Sequence, residues 1–402
     1  MPSDRARNLM RLLFLFQTFS FEKSTIYLDL INEAAARGHK VTVIAGTENR
    51  DAPAGRIKNG EVEVVWLKLK NQFGAGKIKK GIIQLSIAPL MTGLIKKELW
   101  KEEFDIITYP TPPITLAPVV EKCRRHFKCT TYLMLKDIFP QNAIDLGMMS
   151  KDGMTAKYFK QLEKRLYEAS DKIGCMSQAN IRYLLSHEPY IDERKVEYFP
   201  NTVKIRESVD KNKKGDDGIT LFFGGNMGKP QAVEFLLEGI KKASETEELK
   251  CVSFFFIGDG SESSLIEEFI ESKKPVNLTY EHFLPRSEYE EKLKNADVGI
   301  VSLSDKFTIP NYPSRVLSYM QTATPVFAVT DENTDIKELV IKEAHCGFWT
   351  RSGDIDGFIN TLKSMVRMKD ELPELGKNGR KYLEENFDVT RSIEILEKAL
   401  RG

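Results

Sequence analysis

The sequence predicts an α/β protein of two doubly wound, Rossmann-like domains that face each other across a cleft. Short apolar runs alternate with helix-length segments, which is typical of parallel sheets covered by helices on both faces. A polar stretch without periodicity, residues 211–218, interrupts this alternation, which then starts again. A chain of 402 residues also exceeds the usual size of one hydrophobic core, so two domains are expected.

The first half opens with RLLFLF at 11–16, which we interpret as a buried strand because no signal-peptide cleavage site follows it. A helix from about Ser24 to Arg37 comes next, and Gly38 ends it. These apolar runs lack an alternating polar face, as buried parallel strands do. Further strands in this half are predicted at 40–45, 62–69, 104–109, 129–135 and 171–176.

The second half repeats the pattern after the polar stretch. The predicted domains are therefore residues 1–203 and 204–388, and a last helix within 389–402 is expected to pack back across the joint. In such sheets ligands bind beyond the carboxyl ends of the strands. Strands in this half are predicted at 219–223, 251–257, 277–283, 297–303, 325–329 and 346–350.

Composition excludes several classes of protein. The net charge is +1 and no basic stripe is interleaved with aromatic residues, so a nucleic-acid partner is not expected. Five scattered cysteines without a Cys-x-x-Cys pair indicate a reduced, cytoplasmic compartment. No segment approaches the roughly 20 apolar residues of a membrane-spanning helix.

Two strand–helix turns in the second half are suited to a diphosphate. In ITLFFGGNMGKPQA, the pair Gly224-Gly225 follows a strand, and a helix is predicted to start at Pro230. In IPNYPSRVLSYM, Ser314 can cap a helix whose first turn contains Arg315. Each motif alone is better explained by an ordinary strand–helix turn. Together, with Lys229 and Arg315 beside the helix starts, they favour a phosphate-bearing ligand.

A third turn, Gly258-Asp259-Gly260, follows the strand at 251–257. It can line a nucleotide pocket, or it can be only a tight turn. The spacing of the glycines at 224–228 is not that of the Gly-x-Gly-x-x-Gly dinucleotide motif, and no Walker sequence is present.

These motifs carry a family resemblance. In order and spacing, FFGGNMGKPQ, FIGDG, FLPRSEYEEKLKNADVGIVSL and PSRVLSYMQTATPV resemble the retaining nucleotide-sugar glycosyltransferases of family 4, which have the two-domain GT-B fold. NEAAARGHKVTVIAG, LKDIFPQNAIDLGMM and FPNTV extend the resemblance to the first half. The LKDIFPQ–DLGMM segment is most similar to the branch that builds bacterial O-antigen and capsule repeat units, including amino-sugar transferases.

The resemblance implies a hexosyltransferase that moves a sugar, such as an N-acetylated or deoxy amino sugar, from UDP to a polyprenyl-linked or other saccharide acceptor with retention. The first domain would bind the acceptor and the second the UDP-sugar, which is a co-substrate, with no further cofactor and no metal. The donor-binding positions that it implies are Gly224, Gly225, Asn226, Lys229, Gln231, Gly258, Asp259, Gly260, Leu284, Pro313, Ser314, Arg315, Val316 and Ser318.

The sequence departs from the family pattern at two places. The family usually has a cation directly after the glycines and a Lys five positions on, where this chain has Asn226 and Gln231. It also uses two Glu eight positions apart, where this chain has Pro310 and Ser318. Two alternatives therefore stay open: a non-catalytic GT-B partner subunit, which fits Ser318, and a nucleotide-sugar epimerase of the same fold class.

Two residues are candidates for the chemistry. Lys229 would stabilise the leaving diphosphate, together with Arg315. Asp137 follows the strand at 129–135 and is either a residue near the transferred sugar or acceptor hydroxyl, or a helix cap or turn residue before residues 138–140. His39 and His282 favour structural roles. No His, Cys or carboxylate cluster has metal-ligand spacing, and Asp354-Ile355-Asp356 falls in a helix pattern.

Residues 76–103 combine an apolar body with basic ends at Lys79, Lys80, Lys96 and Lys97. This pattern favours a helix lying on an anionic membrane, which would place the protein at the inner face of the cytoplasmic membrane near a lipid-linked acceptor. The alternative is a core helix with solvated lysines, kinked at Pro89.

Overall fold

The computed structural model describes residues 9–21, 26–47, 55–69, 77–207 and 218–401, with the side chains of 77–85 and 286–287 outside the described set. It divides into two compact units: Met1–Lys204 with Val389–Gly402, and Ile205–Asp388. Each unit has its own sheet, whose interior strands are parallel. The prediction of two α/β, Rossmann-like domains is therefore confirmed.

Fourteen strands form the two sheets of the described chain. The first sheet contains β1 (Arg11–Thr18), β2 (Lys40–Thr47), β3 (Gly55–Asn59), β4 (Val62–Lys68), β5 (Ile106–Pro110), β6 (Thr130–Leu135), β7 (Lys172–Cys175) and β8 (Val196–Tyr198). The second contains β9 (Ile219–Gly224), β10 (Val252–Ile257), β11 (Leu278–Glu281), β12 (Val298–Ser302), β13 (Val326–Thr330) and β14 (Gly347–Arg351).

The helices of the described chain cover these sheets. They are α1 (Ile26–Ala36), α2 (Lys77–Glu98), α3 (Ala117–Phe127), α4 (Gln141–Asp145), α5 (Met154–Ala169), α6 (Gln178–His187), α7 (Val233–Ser244), α8 (Ser263–Lys273), α9 (Arg286–Lys294), α10 (Arg315–Gln321), α11 (Ile336–Glu338), α12 (Ile355–Arg367), α13 (Leu372–Asn386) and α14 (Val389–Ala399).

The last helix, α14, belongs to the first unit. Its apolar face, including Val389 and Ile393, is buried in the same core as Leu30 and Ile31 of α1. The Val389 N–H donates to the carbonyl of Val203 at 3.0 Å. This hydrogen bond attaches the start of α14 to the first unit, to which the chain returns at Val389.

The sequence analysis missed β3, which pairs antiparallel with β4 at the edge of the first sheet. Its sequence, GRIKN, contains a single large apolar residue, Ile57, and most of the strand is exposed or half-buried. An edge strand with one solvated face lacks the continuous apolar run by which the buried strands were recognised.

The strand orders place the loops that matter for binding. The first sheet runs β3-β4-β2-β1-β5-β6-β7-β8, and the second runs β11-β10-β9-β12-β13-β14. From β9 the chain adds strands first on one side of the sheet, as β10 and β11, and then on the other side, as β12, β13 and β14. The boundary between β9 and β12 is therefore the topological switch point, where open α/β sheets bind ligands. The loops that follow β9 and β12 contain the two phosphate motifs.

Candidate functional site

The glycine loop after β9 packs backbone to backbone against the loop after β10. The Gly225 N–H donates to the carbonyl of Ile257 at 2.8 Å, and the Met227 N–H donates to that of Asp259 at 3.0 Å. Gly258 has φ +140°, and a Cβ there would overlap the carbonyl oxygen of Gly225. A Cβ at Gly260 would likewise overlap the carbonyl of Met227. Because glycine has no Cβ, Gly258 and Gly260 permit the close approach of the two backbones. The Gly258-Asp259-Gly260 turn therefore supports the glycine loop as well as reversing the chain.

The side chain of Asp259 binds within the protein. Its carboxylate accepts hydrogen bonds from His282 Nδ1 at 2.6 Å and from the Phe283 N–H at 2.8 Å. The His282 hydrogen bond and the Phe283 N–H lower the pKa of Asp259. These two hydrogen bonds attach Asp259 to the segment that follows β11. Leu284, which is half-buried, is the residue after Phe283 in that segment.

Asn226 and Gln231, which stand where the family has cations, bind each other. Asn226 Nδ2 donates to Gln231 Oε1 at 3.0 Å, and the Gly228 N–H donates to the same oxygen at 3.2 Å. These bonds close the loop on itself. Lys229 extends from it, is exposed, and forms no ion pair with any described carboxylate.

The helix predicted at Pro230 begins only at Val233, so this prediction was wrong by three residues. Residues Lys229–Gln231 form a 3-10 turn instead, and Ala232 at φ +47° separates it from α7. The carbonyls of the turn are already bonded across the loop. Pro230 accepts from the Ser304 N–H at 2.9 Å, and Gln231 accepts from Ser302 Oγ at 2.7 Å.

A carboxylate already occupies the N-terminus of α7. Glu262 accepts a hydrogen bond from the backbone N–H of Val233, while its partial burial raises its pKa against the opposing effect of Lys229 and Lys306. Lys306 is exposed in the loop after β12, where it faces the same carboxylate as Lys229. The sequence analysis missed Glu262 and Lys306, because neither lies in a motif.

The second motif starts α10 without the predicted cap. Ser314 precedes the helix, but its backbone is already helical at φ −64° and its side chain makes no capping hydrogen bond. Helix caps normally have extended backbone, which directs the side chain to the exposed N–H groups. Pro313 is half-buried, Ser314 and Ser318 are exposed, and Val316 is a fully buried core residue whose side chain is unavailable to a ligand.

Arg315 joins the two motifs, which lie 89 residues apart. Its Nη2 donates to the carbonyl of Asn226 at 3.2 Å, and its guanidinium lies 4.3 Å from the ring centroid of Phe223. A Cβ on Gly225 would come 3.1 Å from Nη2, so the glycine leaves room for this cation. Nη1 is enclosed and has no hydrogen-bond acceptor within the described part of the chain. Among the described residues no carboxylate pairs with Arg315, so its charge is available to an anion.

Asp137 lies at the carboxyl end of β6 in the first unit. The N–H groups of Lys136 and Asp137 both donate to Thr111 Oγ1, at 3.0 and 3.3 Å. The carboxylate has no hydrogen-bond partner among the described residues, and burial raises its pKa to about 6. Asp137 does not cap a helix, because Pro140 precedes α4 and no side chain caps it. It lies in the irregular segment between β6 and the turn at 139–140, so the alternative of a turn residue stays open.

Lys136, which was not predicted, is the second titratable group at this edge. Burial lowers its pKa to about 7. Its Nζ lies 5.2 Å from the ring centroid of Phe199. The carboxyl end of β6 thus holds a carboxyl group and an amine that both titrate near neutral pH, which is common at functional sites.

The described part of α2 packs as a core helix. Ile87, Met91 and Ile95 are fully buried, so this face is not available to a membrane. On the other face Lys96 Nζ lies 5.6 Å from the Trp100 ring, and Lys97 pairs with Glu98 at 2.8 Å. The side chains of Lys79 and Lys80 lie outside the described residues. In the part of the chain that is described, no helix has the length and hydrophobicity to cross a membrane.

The remaining predicted features have local roles. His39 Nδ1 accepts from the Met10 N–H at 3.1 Å inside the first unit. Asp354 caps α12 by accepting from the Gly357 N–H at 2.9 Å. Within the described ranges no three His, Cys, Asp or Glu side chains group as metal ligands would.

Both units are Rossmann-like, and the second has a glycine loop and an arginine at its switch point. This arginine has no carboxylate partner among the described residues. The Glycosyltransferase Family 4 model matches residues 24–207, and the Glycosyl transferases group 1 model matches residues 204–382. The chain therefore belongs to the GT-B glycosyltransferases and is a transferase of sugars.

Individual relatives are distant. The probable glycosyltransferase WbjE of Pseudomonas aeruginosa is 22% identical over 333 residues, which are 81% of this chain and 80% of WbjE. The E. coli trehalose-6-phosphate protein bound with UDP-2-fluoro glucose matches at TM-score 0.73 and 13% identity, over 97% of this chain and 98% of that one. WaaG, a glycosyltransferase involved in lipopolysaccharide biosynthesis, matches at TM-score 0.67 and 14% identity, over 97% and 100%.

Replacing Gly258 by alanine should separate the two loops. The overlap with the Gly225 carbonyl and the positive φ should together cost about 1–3 kcal/mol, and amide exchange should accelerate in the second unit. Gly60→Ala is the control, because Gly60 also has positive φ (+58°) but no atom within 4 Å of its Cβ position. Equal effects of both changes on exchange near β9 would contradict the packing role of Gly258.

Asp137 should make stability depend on pH. Because its pKa is raised from 3.8 to about 6, the folded protein holds this proton more tightly than the unfolded chain does. Stability should therefore fall as the pH rises through this window, and Asp137→Asn should reduce that fall. Glu163, whose pKa burial raises to about 7, accounts for a remaining part. Chemical unfolding at about pH 4 and about pH 7 measures the difference. The exposed change Asp152→Asn is the control, and an unchanged pH dependence in Asp137→Asn would refute the assignment.

Proposed function

We propose that this glycosyltransferase moves a hexosyl group, with retention, from a UDP-sugar to a lipid-linked saccharide in cell-surface polysaccharide synthesis. The observation that carries the proposal is Arg315. This cation is held against the glycine loop by the Asn226 carbonyl and has no carboxylate partner among the described residues. A diphosphate is the anion for which such a loop pair at a sheet switch point is suited.

The proposed role of the cations is electrostatic. Negative charge develops on the diphosphate oxygen as the bond to the sugar breaks, and fixed positive groups stabilise that charge without reorganising. Arg315 is fixed by its hydrogen bond, while Lys229 and Lys306 reach the same region from the loops after β9 and β12. Glu262 at the N-terminus of α7 interacts electrostatically with both lysines, so it would have to stay beside them or move when the diphosphate binds.

Asp137 is the proposed polar contact of the sugar or acceptor hydroxyl. A carboxyl group with a pKa of about 6 can accept a proton near neutral pH, and no protein group competes for its oxygens among the described residues. No side chain needs to act as a nucleophile, because the family resemblance implies attack on the same face, assisted by the leaving phosphate.

Support for the donor and the pathway comes from resemblance. A protein of the same fold binds UDP-2-fluoro glucose, and WaaG takes part in lipopolysaccharide biosynthesis. The segment around Asp137 resembles the branch that builds surface polysaccharides. The proposal therefore places the enzyme at the inner face of the cytoplasmic membrane, where lipid-linked acceptors are found.

One observation favours a second candidate, a non-catalytic GT-B partner subunit. Ser318 is exposed one helical turn beyond Ser314, and its short side chain cannot bind both ribose hydroxyls as a Glu would. Release of UDP from a panel of UDP-sugars, with and without a lipid-linked acceptor, distinguishes the two functions. Binding of UDP without any turnover would favour the subunit.

Arg315→Ala and Lys229→Ala should each weaken UDP binding by roughly 1.5–3 kcal/mol, the value of a charge-assisted contact. Binding of uridine should change little, because uridine lacks the diphosphate. Titration calorimetry with both ligands measures this. Lys250→Ala, at the opposite end of the β10 strand, is the matched control. Equal losses for UDP and uridine would indicate general damage to the unit.

Sugar transfer should proceed without a divalent metal, because the proposal assigns the diphosphate to Arg315, Lys229 and Lys306. Activity measured in EDTA should equal the activity measured with added Mg²⁺ or Mn²⁺. If EDTA abolishes the activity and a divalent ion restores it, this part of the proposal is wrong.

A further inference from the structure

Lys136 is a cation without an anion at the carboxyl edge of the first sheet. It follows β6 directly, and ligands of such sheets bind beyond the carboxyl ends of the strands. Its backbone N–H and that of Asp137 both donate to Thr111 Oγ1, which holds the chain in place here. Among the described residues no carboxylate pairs with Lys136, and no group accepts a hydrogen bond from its Nζ.

The surroundings of this amine are apolar. Nζ lies 5.2 Å from the ring centroid of Phe199, and the thiol of Cys175 is the other group that acts on it. Phe199 is 2% exposed and Cys175 is fully buried, so these walls offer a ring face and a neutral thiol in place of water. An unpaired ammonium is destabilised in such a place, and burial therefore lowers the pKa of Lys136 to about 7.

The amine is nevertheless within reach of a ligand. Lys136 is half-buried, and its Nζ keeps contact with solvent although it has no partner among the described residues. Thr108 Oγ1 on the neighbouring strand β5 is the opposite case, because it also lacks a partner but is sealed in the core. A ligand at the carboxyl edge can therefore contact Nζ directly.

Asp137, the next residue, serves a different part of this edge. Its carboxylate acts on Tyr27 of α1, whose pKa is raised by burial and by this nearby charge. Lys136 lies instead beside Cys175 at the end of β7 and Phe199 directly after β8. The amine and the carboxyl group do not act on each other. The edge therefore offers one contact for a hydroxyl and a separate one for an anion.

A single cation between apolar walls matches a ligand group with a single negative charge. A carboxylate satisfies the ammonium with a charge-assisted hydrogen bond, whereas a phosphate dianion would keep one charge without a partner. We infer that Lys136 binds the carboxylate of an acidic sugar, such as a uronic acid, in the saccharide acceptor. As an assignment of the acceptor this inference rests on the proposed function, but it does not depend on which sugar is transferred.

The probes for the test are methyl glucuronoside and its neutral match, methyl glucoside. Each is titrated into the full chain labelled with ¹³C at the lysine Cε, and the resonance of Lys136 is the one that Lys136→Met removes. Methyl glucuronoside should bind about ten-fold tighter than methyl glucoside, the value of one charge-assisted contact. It should also move the titration of the Lys136 resonance upward by roughly one pH unit, because an opposite charge favours the ammonium.

Lys136→Met should abolish the preference for the acidic glycoside and leave the binding of methyl glucoside unchanged. The melting temperature of the ligand-free protein should stay equal or rise, because an unpaired buried amine is replaced by an apolar side chain. Lys172→Met is the matched control. Lys172 begins β7 at the opposite edge of the same sheet, and its Nζ donates to the Arg194 carbonyl at 3.1 Å. This variant should keep the preference of the parent protein.

Several outcomes would overturn the inference. Equal affinities for the two glycosides, or an unshifted Lys136 resonance, would exclude a carboxylate site at this amine. Equal losses in Lys136→Met and Lys172→Met would indicate only general charge, and tighter binding of glucose phosphate at Lys136 would make the ligand a phosphate. These measurements do not use UDP, so their failure is distinguishable from failure of the proposed function, which is measured by release of UDP.

Discussion

The close approach of the loops after β9 and β10 is the constraint on which the candidate site depends. Glycine at 258 and 260 lets the two backbones touch, and hydrogen bonds between them hold the loop after β9 in one position. Because that loop is fixed, the carbonyl of Asn226 can orient Arg315 from α10. Without the hydrogen bond to the Asn226 carbonyl, the guanidinium of Arg315 would have no fixed position in which to bind a ligand.

The charges of the second unit follow from the same arrangement. The N-terminus of α7 carries the Glu262 carboxylate, and the partial positive charge of the helix is thereby balanced within the protein. The cations without an ion pair among the described residues are instead side chains from three segments: Lys229, Lys306 and Arg315. A ligand anion at this place would therefore interact mainly with these side chains, because Glu262 already occupies the helix terminus.

Much of the fold could be predicted from the sequence because the buried strands are apolar on both faces, as β1 and β9 are. The edge strand β3 could not be, since one solvated face removes that signal. The start of α7 was placed too early because Ser302 and Ser304, which bind the carbonyls of the turn, are about 70 residues distant and have no sequence pattern. Glu262 and Lys306 were missed for the same reason: only folding brings them to the loop.

The residues that depart from the family pattern change the charge and the hydrogen bonding of the same site. Asn226 and Gln231 replace two cations, and their mutual hydrogen bond keeps the loop closed, while Arg315 and Lys306 supply positive charge near the loop. Ser318 removes a carboxylate that would have faced the same region from α10. The loop pair therefore has fewer acceptors for ribose hydroxyls than the family pattern gives. Under the proposed function, recognition of the donor rests on its diphosphate more than on its ribose.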